Sequence, residues 1–359
     1  MNVVRLRAER FRNLSGVVFE PAPGGLTVVQ GPNGSGKTSL LEALAYCSML
    51  KSFRGVPREA IVQSGEASAL IECDLDVAGR SVDVTVSIEL GRRDRALRSG
   101  QRVESARDLL DVLRTTLFTP DDLELVKGAP AGRRDLVDDV VAASSPRAAA
   151  DRFELERILR QRNALLRQLG GRMTSEAATT LDVWDERLAV TGERVASARE
   201  LLVGHLQPFA EEAFAAIAPT AGPLKLRYVR SFEGDLAAAI AAARQDDLRR
   251  QVTTVGPHRD ELELSAGGLD ARTRLSQGRQ RATALALRLA AHRYLTEATG
   301  STPVLLLDDA FSELDETTTR LLMDELPKGQ AILTTAGTLP PAATPTRVLR
   351  LSDGAIVDG

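Results

Sequence analysis

Cysteine is nearly absent: Cys47 and Cys73 are the two in 359 residues, widely spaced and outside any CxxC. That excludes a disulfide framework and a cysteine-based zinc site, and it makes a reducing cytoplasm the expected setting. Their expected role is that of small buried apolar side chains. Long hydrophobic runs are missing too. No window of about 18 apolar residues is there to span a bilayer. The opening MNVVRLRAERFRNL has arginines but not the apolar stretch of a signal peptide. A net charge of -3 does not by itself argue for a nucleic-acid partner. Lysine is scarce, five of 46 basic residues, so 41 arginines carry the positive charge. They gather in 51–60, in 91–107 (Arg92, Arg93, Arg95, Arg98, Arg102, Arg107) and in 152–172. Each stretch is either a solvated face or a phosphate-contacting one.

What is present is a soluble chain, 43% hydrophobic and 26% charged, long enough for two or three domains. VVRLRAERF alternates like a strand, and GLTVVQ (25–30) reads as a short buried one. A helix follows from Thr38 to about Leu50. SALIECDLDV (68–77) and SVDVTVSIEL (81–90) read as a hairpin across AGR, and ALRSGQRV (96–103) as another turning at Ser99-Gly100. A further strand, turn and helix start surround Thr119 and Pro120. From about 133 to 214 the strand signal fades. Leu181, Trp184, Leu188, Thr191, Val195, Ala198 and Leu202 step by three and four, with Leu155, Ile158, Leu165 and Leu169 as a facing stripe. Two long antiparallel helices joined near Gly170-Gly171 are expected, either as an inserted arm or as a helical subdomain packed on the core. Strands recur at 223–229, 260–266, 302–309, 330–335 and 347–351. Alternating strands and helices at both chain ends imply one α/β sheet built from the two ends. The expected division is 1–117, 118–250 (the helical part) and 251–359.

The chemistry begins at GPNGSGKTS. Gly31, Pro32, Asn33, Gly34, Ser35, Gly36, Lys37 and Thr38 match G-x-x-x-x-G-K-[ST] after a strand and before a helix, with Ser39 next. Glycines let backbone N–H groups converge on phosphate oxygens, and the helix adds its positive end. Lys37 is expected on the β and γ phosphates of ATP, and Thr38 on Mg²⁺. VLLLDD delivers two acids at a strand end, Asp308 for the metal shell and Asp309 to orient or deprotonate an attacking water. LSQGRQR (275–281) starts another helix with Ser276, Gly278 and Gln280, a second anion-binding turn. A phosphate already held by Lys37 and Mg²⁺ can meet that turn only from its opposite face. The economical arrangement is two copies, head to tail, with two ATP molecules between them.

GPNGSGKTS, LSQGRQR and VLLLDDAFSELD, in this order, resemble the ABC-type ATPase head, with SELD (312–315) resembling the loop that touches the opposite protomer. Within that class the chain resembles the RecF family through FRNLSG (11–16), FTPDDLELVKGAPAGRRDLVD (118–138), GPHRDELEL (256–264) and the Ser-Gln-Gly signature. The resemblance implies an α/β head, a mixed sheet with the P-loop plus an antiparallel β layer, carrying an inserted helical arm. It implies a cytoplasmic ATP-dependent homodimer that binds DNA at gaps or single/double-strand junctions and helps load recombinase, with partners of the RecO and RecR kind. DNA repair, replication, recombination and the SOS response to DNA damage are the implied setting. Arg12 and Asn13 are placed beside the nucleotide by the resemblance alone; a plain surface turn is the alternative.

The departures are specific. Asp309 stands where transporter-type heads usually carry Glu, and its shorter arm leaves the carboxylate farther from the water. Thr334 and Thr335 stand where such heads often carry a switch histidine. A general base or positioner contributes about 10²–10⁴-fold, so slow hydrolysis is expected. No Q-loop glutamine is evident, and Asp121 or Asp122 of TPDD is a candidate near the metal. His258-Arg259-Asp260 is polar at a strand start and is not assigned to catalysis. A transporter subunit is disfavoured by these departures. A long-armed chromosome-tethering ATPase is disfavoured by a helical region of about eighty residues without a zinc hook; a short-armed one stays, with the transporter subunit, as the alternative.

Overall fold

The computed structural model describes residues 1–312 and 314–357, leaving aside the side chains of Ala106 and Arg107. Glu313 of SELD thus lies outside the described residues, as does the side chain of Arg107 in the 91–107 stretch. The chain forms two compact units. Met1–Leu123, Glu212–Thr220 and Arg281–Gly359 make the first, Glu124–Glu211 and Ala221–Gln280 the second. The second unit therefore takes in 251–280, which the sequence reading assigned to the head.

In the first unit the chain runs through β1 (Asn2–Glu9), β2 (Val17–Phe19), β3 (Gly25–Gln30), α1 (Lys37–Met49), β4 (Ser68–Val77), β5 (Arg80–Glu89), β6 (Arg95–Arg98), β7 (Gln101–Val103) and β8 (Thr115–Phe118). An antiparallel sheet has the order β2-β1-β4-β5-β6-β7. The alternation in β4 is literal: Ala69, Ile71, Cys73 and Leu75 are buried while Ser68, Leu70, Glu72 and Asp74 are half-buried. Helix α1 is buried along nearly its whole length and shares one core with this sheet. Cys47 of α1 and Cys73 of β4 meet there. Their mutual hydrogen bond, and then burial, push the Cys73 thiol up.

The second unit carries α2 (Leu123–Lys127), α3 (Pro130–Ser144), α4 (Pro146–Leu169), most of α5 (Ser175–Ile217), β9 (Leu224–Val229), α6 (Leu236–Arg250), β10 (Glu261–Ala266), β11 (Leu269–Asp270) and α7 (Ala271–Arg274). The cross-helix pairs Arg187–Glu154, Arg162–Asp185 and Arg194–Asp151 confirm that α4 and α5 are antiparallel. The expected two-helix seam has a third member. Leu155, Ile158, Leu188 and Val195 pack with Leu236 and Ile240 of α6. The basic reading of 152–172 needs correction as well. Arg162 is fully buried, donating to Asp185, Asp247 and Thr253, and Arg152 lies among Asp135, Asp138, Asp139 and Glu156.

GRRDLVD (132–138), the end of one stretch that carries the family resemblance, and GPHRDELEL, another, interlock inside this unit. Arg133 is bidentate to Glu261, and Arg134 donates to Asp260 O at 2.7 Å. Arg199 is bidentate to Asp138 and donates to Pro257 O at 2.6 Å. Asp260 accepts from Tyr228 Oη and from Ser231 N, while His258 Nε2 donates to Thr253 O. Buried charges paired in this way hold a polar core together, and removing one partner leaves the other uncompensated. His258-Arg259-Asp260 belongs to that structural network.

From α8 (Gln277–Thr299) the chain re-enters the first unit and adds β12 (Val304–Asp308), α9 (Glu316–Glu325), β13 (Gln330–Thr335), β14 (Arg347–Ser352) and β15 (Ala355–Val357). These complete the sheet β15-β14-β3-β13-β12-β8, parallel except for β15. All five residues of β12 are buried, as a parallel strand covered on both faces requires. Gln330 stitches the two sheets, accepting from Val3 N and donating to Val3 O and Ala22 O.

Helix α8 packs on β8 through His292, whose Nδ1 lies 3.0 Å from Thr116 Oγ1 while Nε2 has no partner among the described residues. Burial, then the Arg293 charge, pushes His292 from 6.5 down to about 4. The native state thus disfavours the charged ring. Its contribution is complete above 6.5 and is lost as pH falls toward 4. At about 1.4 kcal/mol per pH unit this is on the order of 3 kcal/mol. Urea unfolding of wild type and His292→Leu at pH 7 and pH 4.5 is expected to show a smaller acid loss in the variant; equal losses overturn the assignment.

Candidate nucleotide-binding site

Register brings the first unit's motifs together. Gln30, Thr335 and Thr334 end adjacent parallel strands, and Asp308 pairs with Thr334. The P-loop leaving β3 and the acids leaving β12 therefore share the carboxyl edge of the sheet, where open α/β sheets bind ligands. Gly36 caps α1 at φ 107, and a Cβ there would meet Leu14 Cδ2 at 2.9 Å, so glycine is required. Asn13 shapes the loop from outside, donating from Nδ2 to Gly34 O at 2.8 Å and accepting at Oδ1 from Ser39 Oγ at 2.8 Å.

The polar groups within the loop have distinct settings. Lys37 Nζ donates to Gly31 O at 2.8 Å and Pro32 O at 2.9 Å. Burial lowers its pKa, opposed by the charges of Asp309 and Asp308. Thr38 Oγ1 donates to Asp308 Oδ1 at 3.1 Å, and Thr334 Oγ1 donates to the same oxygen at 2.7 Å. Burial raises the Asp308 pKa, while the Thr334 and Thr38 hydrogen bonds and the Arg54 charge pull it down. Ser35 is 3% exposed, and its hydroxyl has no partner among the described residues. Asp309 adopts φ 48, its N–H held by Thr334 O and Oγ1. Beyond it opens a cavity of about 620 Å³, lined by Asn33, Asp309, Ser312, Arg320, Thr334 and Thr335 among others.

Several residues lie in settings the motifs did not foresee. Arg12 is bidentate to Glu42 of α1, at 2.9 and 2.7 Å, and donates to Ala60 O, so three of its five N–H donors are used within the protein. Asp122 caps Thr119 N and accepts from Arg288, which leaves its carboxylate engaged away from a metal role. Asp121 is exposed. Arg54, read only as part of a basic stretch, brings its charge to bear on Asp308, and Thr334, read only as a missing histidine, is the Asp308 partner. In the second unit Leu275 is buried, and Ser276 and Gly278 are exposed at the start of α8. Gln280 is buried, and its amide donates to Ala271 O and Arg272 O at 3.0 Å each. Its side chain braces the turn from behind.

The donor set suits Mg²⁺ shared with a nucleotide. Thr38 and Asp308 offer hard oxygens side by side, and Mg²⁺ takes one or two protein ligands plus phosphates and waters. Among the described residues no group of three or more His, Cys, Asp or Glu forms an all-protein cage.

A family model described as the RecF/RecN/SMC N terminal domain matches residues 2–337. The chain is 40% identical over 352 residues to the DNA replication and repair protein RecF of Streptomyces avermitilis, covering 94% of this chain and 93% of that one. Its identity to RecF of Acidothermus cellulolyticus is 38% over 349 residues, covering 94% of each. A solved structure of the recombination mediator protein RecF with ATP, in the RecFOR pathway, superposes with a TM-score of 0.90 at 26% identity, covering 99% of this chain and 97% of that one. The Smc head domain from Pyrococcus furiosus, bound to the C-terminal domain of ScpA, has a TM-score of 0.57 at 16% identity over 99% of this chain and 95% of that one. The Smc likeness is one of fold, an ABC-type head. The RecF proteins match nearly end to end at far higher identity, and it is to the RecF family that this chain belongs.

Proposed function

We propose that the chain is an ATP-dependent DNA clamp. It dimerises around two ATP molecules, hydrolyses them slowly and promotes recombinase loading at gapped DNA in recombinational repair. The observation that carries this is Thr38 and Thr334 converging on one Asp308 oxygen beside Lys37, at the strand edge that also bears the glycine loop. In this reading Gly31 to Ser39 cradle the phosphates and Lys37 contacts the β and γ groups. Thr38 and Asp308 hold Mg²⁺, which when bound neutralises phosphate charge. Asp309 orients the attacking water, and its reach, shorter by a methylene than glutamate's, keeps turnover low. Asn13 sets the loop shape, and Arg12 supports α1 through Glu42. Ser276 and Gly278 meet the γ-phosphate held by the other copy. The solved relative belongs to the RecFOR pathway, which supports partners of the RecO and RecR kind. Among the described residues no helix is long and apolar enough to cross a membrane, and a cytoplasmic site of action is part of the proposal.

The direct test is sedimentation and DNA binding with ATP, ADP and no nucleotide. Dimers and tight DNA binding are expected in ATP alone; a DNA affinity indifferent to nucleotide defeats the clamp. The same assay locates the contact. Arg93 and Arg95 are exposed, whereas Arg98 is half-buried and donates to Asp108 O. Each phosphate contact contributes about -0.9 to the slope of log K against log salt. Replacing Arg93, Arg95 and Arg98 with Ala is expected to flatten the slope by about two; an unchanged slope clears this hairpin of contact.

A further inference from the structure

β14 runs beside β3 with Leu349 opposite Val29 and Arg350 opposite Gln30. The hairpin that β14 forms with β15 therefore overshoots β3 and lies against the phosphate loop. Its two-residue turn is Asp353-Gly354, with φ 47 and 75, the left-handed pair of a type I′ hairpin. Asp353 is exposed and Gly354 is buried.

Three backbone approaches tie this hairpin to the loop and to Asn13 beside it. Gly354 N–H donates to Ser35 O at 2.9 Å. Leu351 O lies 2.2 Å from where a Cβ on Gly31 would stand. Asn13 O lies 2.4 Å from where a Cβ on Gly354 would stand. Backbone meets backbone at each point, leaving no room for a side chain. The Ser35–Gly36 peptide is trans, so its N–H points opposite to its C=O. Fixing Ser35 O on the hairpin turns Gly36 N–H away from it. Gly36 caps α1, and its N–H has no partner among the described residues. Asn13 fixes the neighbouring carbonyl of Gly34 by a separate bond.

We infer that the Asp353-Gly354 turn is a positioning device for the phosphate loop, with Gly354 N–H holding the Ser35–Gly36 peptide so that Gly36 N–H is presented to a nucleotide phosphate. This rests on the proposed ATP reading of the same loop. A methyl at position 354 meets Asn13 O and opposes the positive φ, so the turn must shift and release Ser35 O.

Calorimetric titration with MgADP and MgATP tests it on the full chain. Gly354→Ala is expected to raise Kd for both about tenfold, the equivalent of one hydrogen bond, with one nucleotide still bound per chain. Asp353→Gly, which keeps the turn and loses no contact to the loop, is expected to bind like wild type. A purely structural role lowers the bound nucleotide per chain and leaves Kd unchanged, and that result, or a wild-type Kd in Gly354→Ala, overturns the inference. Coupling is reciprocal, so saturating MgADP is expected to slow hydrogen exchange at the Gly354 amide of the wild-type protein about tenfold. That measurement decides the matter should Gly354→Ala fail to fold; unchanged exchange overturns the inference. Wild-type protein that binds neither nucleotide instead defeats the ATP reading, and the inference with it.

Discussion

Ser276→Arg is expected to abolish ATP-induced dimers while leaving ATP binding by the monomer within about twofold of wild type. The substitution sits where it can do this cleanly. Ser276 is exposed, and the turn around it is held by others: Leu275 is buried, Gln280 N donates to Ser276 O, and the Gln280 amide is bonded to Ala271 O and Arg272 O. The monomer therefore folds around the new side chain without strain. In the proposed dimer each copy inserts its turn against the other's nucleotide, so a single substitution counts twice. Overpacking a fitted contact costs about 1–3 kcal/mol, and two copies lower the dimer constant on the order of 10²–10⁴-fold. Sedimentation with MgATP reads this directly. An undiminished dimer removes the trans role of the turn and leaves Ser276 as a helix start.

Lys37→Met is expected to weaken ATP binding on the order of 10²–10⁴-fold. Methionine keeps the length and apolar stem of the lysine and removes only its charge and donors. The ammonium lies within the loop, bonded to Gly31 O and Pro32 O, with Asp309 and Asp308 close enough to favour its charged form. Hydrogen bonds involving a charged group contribute about 1.5–3 kcal/mol each, and in the proposed role the β and γ phosphates each take one. ADP offers only the first, so the loss for ADP is expected to be smaller. Equilibrium binding of the two nucleotides, compared with the melting temperature, separates a lost contact from a lost fold. Wild-type affinity in this variant rules out the role assigned to Lys37.

Local pattern made much of this molecule legible, and long-range pairing hid the rest. β4 and β5 show in sequence because one face is buried and alternation follows. β12 shows because both faces are buried and the run is continuous. The P-loop, Asp308 and Asp309 each announce themselves within a few residues. Helix α6, LAAAIAAARQDDLRR, has too few large apolar residues to mark a face, and only packing shows that Leu236 and Ile240 belong to the core. Arg162 looked like part of a basic surface because Asp247, which neutralises it, is 85 positions away. Family likeness places Arg12 beside the nucleotide, but its pairing with Glu42 of α1 is not visible in the local sequence. The Asp353-Gly354 turn carries a strong local hairpin signal, but its contact with Ser35 is a long-range pairing that no local pattern shows.

The order of the parallel sheet carries a consequence for synthesis. β3, which bears the phosphate loop, lies between β13 and β14. On the ribosome, a nascent chain that has not yet released residue 330 has a glycine loop whose strand lacks both neighbours, and Thr38 has no Asp308 fixed beside it. The setting of the loop is thus completed only once β12, β13 and β14 have been made, so a shorter nascent chain carries the glycine loop without the sheet edge that frames it.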